Sequence, residues 1–160
     1  MLLDLSKVKV LIVDDEAYVL KLIRTLLTDM GITQIFTASN GRDALKFLGD
    51  CEDLVNLVLC DWNMPQMDGK TLLQQIRTVN PDLLFIMVTG RATVDSVREA
   101  RDLGVNAYIA KPFSPLQLEQ KIIAMAKLIE ELEIARKNPS SQKPGRGSSA
   151  TGARNPYRSA

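Results

Sequence analysis

Five short strand-like segments, most of them apolar, alternate with five amphipathic segments, and this alternation constrains the fold more than any other feature. In the amphipathic segments apolar residues recur at steps of three and four, as on one face of a helix. Strands that alternate with helices form a parallel sheet covered by helices on both faces, with right-handed crossovers. We therefore predict an α/β fold with a doubly wound, five-stranded parallel sheet and five helices. The predicted strands are residues 7–13, 34–38, 54–60, 83–88 and 107–110.

Turn-forming residues mark the predicted ends of the helices. Glycine favours helix C-termini because it adopts a left-handed conformation without strain, and a helix seldom continues into a proline. The predicted stops of the first four helices are Gly31, Gly49, Pro81 and Gly104, and the fifth helix is predicted to start at Ser114-Pro115. The fourth helix is predicted to pack through Val94, Val97, Ala100 and Leu103.

Four of the predicted strands run into residues that can do chemistry. The apolar run 54–60 leads into a lone carboxylate, and a turn-forming stretch with Pro65 follows at once. The carboxyl ends of the strands of a doubly wound sheet form a shared crevice. We therefore expect three carboxylates, a hydroxyl and an ammonium to converge there. These groups belong to Asp14, Asp15, Asp61, Thr89 and Lys111.

Two of these residues also have simpler interpretations. An aspartate after a strand often caps the next helix, and Asp61 taken alone is compatible with that role. Lys111 taken alone is compatible with a surface lysine in front of a turn. The recurrence of polar residues at several strand ends favours a shared site instead.

Three carboxylates brought close together repel one another unless a cation lies between them. Mg²⁺ favours oxygen ligands and commonly uses one or two carboxylates together with phosphate oxygens. The sequence has no calcium loop of the form D-x-[DN]-x-[DN]-G with a later glutamate. It also has no histidine and no C-x-x-C pair, which argues against the common zinc frameworks and histidine catalysis. We therefore predict Mg²⁺ as the cofactor.

The order and spacing of these motifs resemble the receiver domain of two-component response regulators, most closely the CheY-like single-domain type. The resemblance covers residues 7–130 and implies the strand order 2-1-3-4-5. The motifs that carry it are Asp14-Asp15, Asp61-Trp62-Asn63-Met64-Pro65, Met67-Asp68-Gly69, Val88-Thr89 and Tyr108 through Lys111-Pro112-Phe113.

The resemblance assigns roles to the residues of the expected site. It implies that Asp61 is the phosphoacceptor, which attacks phosphorus to form an aspartyl phosphate. It implies that Lys111 pairs with the new phosphate and that the Thr89 hydroxyl hydrogen-bonds to it. The implied Mg²⁺ ligands are the side chains of Asp15 and Asp61 and the backbone carbonyl of Asn63, with Asp14 acting through water.

Three further expectations come from the resemblance. Tyr108 is implied to swing inward when Thr89 moves toward the phosphate, whereas a tyrosine in a strand, taken alone, is more typical of the core. Arg91, two residues after Thr89, is implied to border the phosphate and to tune its lifetime. The peptide bond between Lys111 and Pro112 is implied to be cis.

The function implied is that of a stand-alone response regulator. A sensor histidine kinase would supply the phosphoryl group, and phosphorylation would change partner binding on the face of helix 4, strand 5 and helix 5. Chemotaxis or motility signalling is the leading pathway, with a phosphatase as a further possible partner. Such a chain catalyses only its own phosphorylation and dephosphorylation, so it is not an enzyme with an external substrate. The alternatives are a phosphorelay intermediate and a phosphorylation-independent interaction module with the same fold.

Charge divides the chain into a predicted receiver domain, 1–135, and a predicted disordered basic tail, 136–160. The first part carries a net charge of −5 and the second +6, with no acidic residue in the second. Residues 138–160 have too few aliphatic side chains to form a core. Six dispersed charges, with no space for a helix-turn-helix, argue against nucleic acid as a partner.

The remaining expectations concern location and self-association. No apolar run approaches the ~20 residues of a membrane span, and the start lacks a signal peptide, so a cytoplasmic protein without membrane insertion is expected. Apolar residues continue along the last helix at steps of three and four, which allows a weak self-association seam. The residues of this predicted seam are Leu118, Ile122, Met125, Ile129 and Leu132.

Overall fold

The structure, a computed structural model, describes residues 3–138 apart from the side chain of Glu52. Strands and helices alternate as expected. The strands are β1 Lys9–Val13, β2 Gln34–Ala38, β3 Leu57–Asp61, β4 Leu84–Thr89 and β5 Ala107–Ala110. The α-helices are α1 Ala17–Asp29, α2 Gly41–Asp50, α3 Gly69–Val79, α4 Val94–Asp102 and α5 Pro115–Lys137. Short 3₁₀ helices cover Leu5–Lys7 and Glu52–Leu54.

The five strands form one parallel sheet in the order β2-β1-β3-β4-β5, which confirms the predicted fold class and strand order. Val13 lies opposite Cys60 in the register of β1 and β3. Asp61 lies opposite Val88 in the register of β3 and β4. The residues that follow these pairs therefore emerge side by side at one edge of the sheet.

Apolar side chains on the two faces of the sheet form two separate cores. Leu11 and Val13 point to the face covered by α2, α3 and α4, whereas Val10 and Ile12 point to the face covered by α1 and α5. Successive side chains of a strand face opposite sides, so each central strand contributes to both cores. The central strands are thereby held between two layers of helices.

Hydrogen bonds from side chains fix where most helices begin. The side-chain oxygens of Asn40, Asp68, Thr93 and Ser114 accept backbone N–H groups at the first turns of α2, α3, α4 and α5. Of the five α-helices that the structure describes, α1 is the exception, because the side chain of its N-cap residue Glu16 makes no such bond.

Four details of the predicted elements are wrong. Gly49 does not end α2, because the N–H of Cys51 still bonds to the carbonyl of Phe47 and the helix runs to Asp50. Val94 does not pack on the sheet and is 73% exposed, since α4 buries only Ala100 completely. Both β1 and β3 begin later than predicted, because 3₁₀ turns precede them.

Two asparagines extend the sheet at the amino ends of the strands. The Asn56 N–H donates to the carbonyl of Lys9 at 2.9 Å, and the Lys9 N–H donates to Asn56 Oδ1 at 2.8 Å. Asn106 repeats this pair with Phe85, at 2.9 and 2.8 Å. In each case a side-chain amide takes the place of a neighbouring strand. We call this edge the asparagine edge.

Helix α5 runs to Lys137 and so crosses the predicted boundary between residues 135 and 136. Four residues of the predicted seam, Leu118, Ile122, Met125 and Ile129, are buried against the sheet, and Leu132 is half-buried. Self-association through this helix stays a prediction. The predicted tail from residue 139 onward lies outside the described residues.

Candidate functional site

The carboxyl edge of the sheet concentrates buried polarity. Among the residues whose side chains the structure describes, the buried polar or charged ones are Asp14, Asp61 and Thr89. Asp14 follows β1, while Asp61 and Thr89 are the last residues of β3 and β4. Burying such groups is costly unless they are paired, so this concentration indicates a site that the fold maintains.

Lys111 joins the two buried carboxylates. Its Nζ lies 3.1 Å from Asp14 Oδ2 and 3.7 Å from Asp61 Oδ2. It enters the crevice next to Pro112, and the peptide bond between the two residues is cis. The interpretation of Lys111 as an unengaged surface lysine is therefore wrong.

The ionisation of this cluster follows from burial and charge. Burial raises the pKa of Asp61, Lys111 opposes that rise, and Asp14 adds to it. Burial lowers the pKa of Lys111, but its hydrogen bond to Asp14 and the negative charge of Asp61 outweigh burial, so its pKa is raised. Lys111 is thus a firmly cationic partner for anions bound at this edge.

Two long polar contacts through Asn63 connect Thr89 to Asp61. The Asn63 N–H donates to Asp61 Oδ1 at 3.3 Å, and Asn63 Nδ2 donates to Thr89 Oγ1 at 3.5 Å. The Arg91 N–H donates to Thr89 Oγ1 at 3.0 Å. In both of its bonds Thr89 Oγ1 is the acceptor, which leaves the hydroxyl proton to donate to an incoming oxygen.

Asp61 does not cap the helix that follows it. The N-cap of α3 is Asp68, whose carboxylate accepts the Thr71 N–H at 2.8 Å. A Cβ at Gly69 would lie 2.8 Å from the backbone oxygen of Asp61, so only glycine fits this close approach. The loop after β3 is thereby packed tightly beneath the site and leaves the Asp61 carboxylate free of a capping role.

Three consecutive acids form a carboxylate cluster just after β1. Asp14, Asp15 and Glu16 each place one carboxylate oxygen within 4.8 Å of the others. The charges of Asp14 and Asp15 also act on Asp61. These hard oxygen donors fit Mg²⁺, for which Asp14, Asp15 and Asp61 are the candidate ligands. Glu16 was not among the predicted site residues, although the run of three acids in the sequence was the available signal.

An open crevice of about 450 Å³ leads from solvent to Asp61. Its lining residues are Glu16, Asp61, Asn63, Gly90, Arg91 and Lys111. Four of the predicted site residues, Asp61, Asn63, Arg91 and Lys111, therefore line a crevice that is wide enough for a phosphoryl group. Arg91 is exposed at its rim.

Tyr108 lies away from this crevice, on the face formed by α4, β5 and α5. It is 39% exposed, and Lys121 Nζ lies 5.5 Å from the centroid of its ring. A cavity of about 300 Å³ separates it from α4 and is lined in part by Val97, Arg98 and Arg101. The interpretation of Tyr108 as a core residue is therefore wrong.

No helix within residues 3–138 combines the length and the apolar character that crossing a membrane requires. This finding agrees with the absence of a long apolar run in the sequence.

Known proteins are similar to this chain in sequence and in fold. The chain is 41% identical over 118 residues to the chemotaxis protein CheY of Pseudomonas aeruginosa, covering 71% of this chain and 92% of that protein. It is 38% identical over 121 residues to chemotaxis protein CheY-3 of Vibrio cholerae, covering 73% and 90%. A CheY-like receiver domain from Methanospirillum hungatei superposes with a TM-score of 0.71 at 30% identity, covering 78% and 98%.

A structure of a complex is also similar. The complex of CheX, CheY, BeF₃ and Mg²⁺ from Borrelia burgdorferi matches with a TM-score of 0.70 at 27% identity, covering 73% of this chain and 87% of that chain. Residues 10–123 match the family described as the response regulator receiver domain. With this match, the parallel sheet in the order 2-1-3-4-5 and the acidic crevice at its carboxyl edge, the chain belongs to the response regulator receiver domain family.

Proposed function

We propose that the chain is a response regulator that accepts a phosphoryl group on Asp61 from the phosphohistidine of a sensor kinase. The observation that carries this proposal is the placement of a buried Asp61 carboxylate at the floor of an open crevice, 3.7 Å from the Lys111 ammonium. A nucleophile, a cation beside it and fixed hydrogen-bond donors are what phosphoryl transfer requires.

The transfer step follows from this arrangement. An Asp61 carboxylate oxygen attacks phosphorus, the bond between phosphorus and the donor nitrogen breaks, and its electron pair leaves with the imidazole. Lys111 turns from Asp61 to the new phosphate, and the Thr89 hydroxyl donates to a phosphoryl oxygen. Mg²⁺ held by Asp14, Asp15 and Asp61, with the Asn63 carbonyl, would neutralise charge on the phosphoryl oxygens.

We further propose that phosphorylation is read out at the face of α4, β5 and α5. A phosphate on Asp61 draws the Thr89 side chain toward it, and the ring of Tyr108 turns into the cavity beside α4. This changes the surface that a downstream target binds. The complex of CheX with a relative supports partner binding by proteins of this fold in general.

Chemotaxis or motility signalling in the cytoplasm is the proposed pathway, because several curated relatives are chemotaxis proteins. The chain would act only on its own phosphorylation and dephosphorylation, with a phosphatase as a further partner. A phosphorelay intermediate would use the same Asp61 chemistry but pass the phosphoryl group on to another histidine. Transfer of a labelled phosphoryl group from the phosphorylated chain to a histidine phosphotransfer protein would distinguish the phosphorelay intermediate from the chemotaxis regulator.

The test of the proposed function is incubation with acetyl phosphate and MgCl₂, followed by intact-mass spectrometry and Trp62 fluorescence. We expect an alkali-labile adduct of one phosphoryl group and a change in emission, since Trp62 adjoins Asp61. Asp61→Asn should form no adduct, whereas Asp82→Asn, which removes an exposed charge at the opposite edge, should behave as the parent. An unmodified parent protein, or an adduct that persists in Asp61→Asn, would contradict the proposal.

A further inference from the structure

Glu16 occupies the N-cap position of α1 without serving as a cap. Its own N–H donates to Asp14 Oδ1 at 2.8 Å, which fixes its backbone at the site. Its side chain accepts no backbone N–H from the first turn of α1, although the Tyr18 hydroxyl donates a hydrogen bond to it. Instead it lies within 4.8 Å of the Asp14 and Asp15 carboxylates, in spite of their like charge. The side chain therefore lines the crevice, where it pairs with the Tyr18 hydroxyl and does not cap the helix.

The position of Glu16 in the crevice differs from that of the buried acids. Asp61 forms the floor and is 6% exposed, whereas Glu16 is exposed and lines the same opening. Arg91 is the other exposed charged side chain among the described residues that line it. The charge of Glu16 also reaches into the site, because it helps to raise the pKa of Lys111.

In-line transfer places the leaving group of the phosphodonor at this opening. The attacking and leaving atoms lie on opposite sides of phosphorus. Since Asp61 attacks from the floor, the leaving group must point outward, between the rim residues. The charge on the leaving group during the reaction therefore interacts electrostatically with the Glu16 carboxylate.

We propose that Glu16 is a specificity-determining residue that selects phosphodonors by the charge of their leaving group. Donors with a cationic or neutral nitrogen leaving group, such as phosphoimidazoles and phosphoramidate, are favoured over donors that release a carboxylate. This inference rests on the proposed role of Asp61 as the phosphoacceptor.

The charge balance of the two reactions gives the direction of the effect. Phosphoramidate carries an ammonium nitrogen. When its P–N bond breaks, the electron pair stays on nitrogen, ammonia leaves, and the new P–O bond joins phosphorus to Asp61. Acetyl phosphate loses its P–O bond and releases acetate, which carries a negative charge past Glu16. The Glu16 carboxylate attracts the first donor and repels the leaving group of the second.

The experiment compares the second-order rate constants for phosphoramidate and acetyl phosphate in the full chain, followed by Trp62 fluorescence at saturating MgCl₂. In Glu16→Gln we expect a rise of about threefold for acetyl phosphate and no rise for phosphoramidate at low ionic strength, with a smaller difference in high salt. Glu16→Lys should move the ratio further in the same direction. Because both donors use the same Mg²⁺ site, a change in Mg²⁺ affinity cancels in the ratio.

The matched control is Glu131→Gln, which removes an exposed carboxylate from α5 outside the crevice. Its ratio should equal that of the parent. An unchanged ratio in Glu16→Gln, or an equal change in Glu131→Gln, overturns the role of Glu16 while leaving Asp61 as the phosphoacceptor. A parent protein that neither donor phosphorylates overturns the proposed function and this inference with it.

Discussion

Burial raises the pKa of the Asp61 carboxyl, and the charge of Asp14 raises it further against the opposing charge of Lys111. A carboxyl whose pKa is raised by folding favours the folded state when it is protonated. Its ionisation therefore lowers the free energy of unfolding as the pH rises through that pKa. At neutral pH the charged carboxylate of Asp61, the proposed nucleophile, therefore lowers the free energy of unfolding.

Asp61→Asn should consequently be more stable than the parent at pH 7, by ~1 kcal/mol. The amide keeps the shape of the side chain and removes the buried charge, while Lys111 keeps its pairing with Asp14. The advantage should shrink as the pH falls through the Asp61 pKa, where the parent side chain also becomes neutral. Urea unfolding at several pH values measures this, with Asp82→Asn as the control. Lower stability of Asp61→Asn at pH 7 would refute the expectation.

Arg91 contributes to the site through two separate parts. Its backbone N–H bonds to Thr89 Oγ1, and its side chain is exposed at the rim of the crevice. Arg91→Ala keeps the backbone hydrogen bond and removes the exposed side chain, so the free energy of unfolding should change by no more than about 0.5 kcal/mol.

The same variant should shorten the lifetime of the phosphate severalfold, because a smaller side chain opens the path of the attacking water. Release of inorganic phosphate from the isolated phosphoprotein measures the lifetime, and urea unfolding measures the stability. Arg24→Ala, on an exposed part of α1, is the control. Equal lifetimes in parent and Arg91→Ala would rule out a role for this side chain.

At the scale of elements, the sequence predicted the kind and order of helices and strands better than their ends. Apolar spacing is set by the core, which is why all five strands and all five α-helices were found although the two short 3₁₀ helices were not. Ends depend on individual hydrogen bonds, such as the one from Cys51 to Phe47 that carries α2 past Gly49. The spacing of apolar residues did not predict the exposure of Val94 either. Helix α4 packs so shallowly on the sheet that only Ala100 is fully buried.

The asparagine edge shows how one side chain serves two elements. Asn106 Oδ1 accepts the N–H of the fully buried residue Phe85 and also a bond from Arg77 Nη2 at 3.1 Å. Arg77 in turn donates to the carbonyls of Leu83 at 2.6 Å and Gly104 at 2.9 Å. This small network ties α3 to the start of β4 and to the turn before β5.

Asn106→Ala should lower the free energy of unfolding by about 1–3 kcal/mol, because it leaves a buried backbone donor without its acceptor. Asn106→Asp keeps an oxygen at the same position and should lose less. Urea denaturation of the two variants measures the difference. Equal losses in both would show that the accepted bonds do not carry the effect.

At the scale of the whole molecule, the site was predictable as a set of residue types but not as a geometry. Asp14, Asp61, Thr89 and Lys111 follow strands whose parallel order brings their ends together. The 3.1 Å pairing of Lys111 with Asp14 joins residues 97 positions apart and depends on the full register of the sheet. The run of three acids signals Glu16 as a residue type, but its place in the lining of the crevice is a matter of geometry that the run does not give.

Magnesium binding should stabilise the entire fold, because the repelling carboxylates come together only in the folded chain. At about a hundred times the dissociation constant, the gain should be roughly 2.7 kcal/mol. Urea unfolding with increasing MgCl₂ at constant ionic strength measures it. Asp15→Asn should weaken the dependence and Asp82→Asn should leave it intact. A midpoint insensitive to MgCl₂ in the parent would contradict the assignment of this cluster to the ion.

The asparagine edge and the acidic crevice lie at opposite ends of the strands. Five residues of strand place them ~16 Å apart, about twice the screening length at physiological salt. The charges of a fluorophore or an affinity handle grafted onto the loops of the asparagine edge would therefore interact only weakly through the solvent with the acidic crevice. These loops are therefore suitable points for attaching the protein to a surface on which the phosphorylation of Asp61 could be followed without disturbing the crevice.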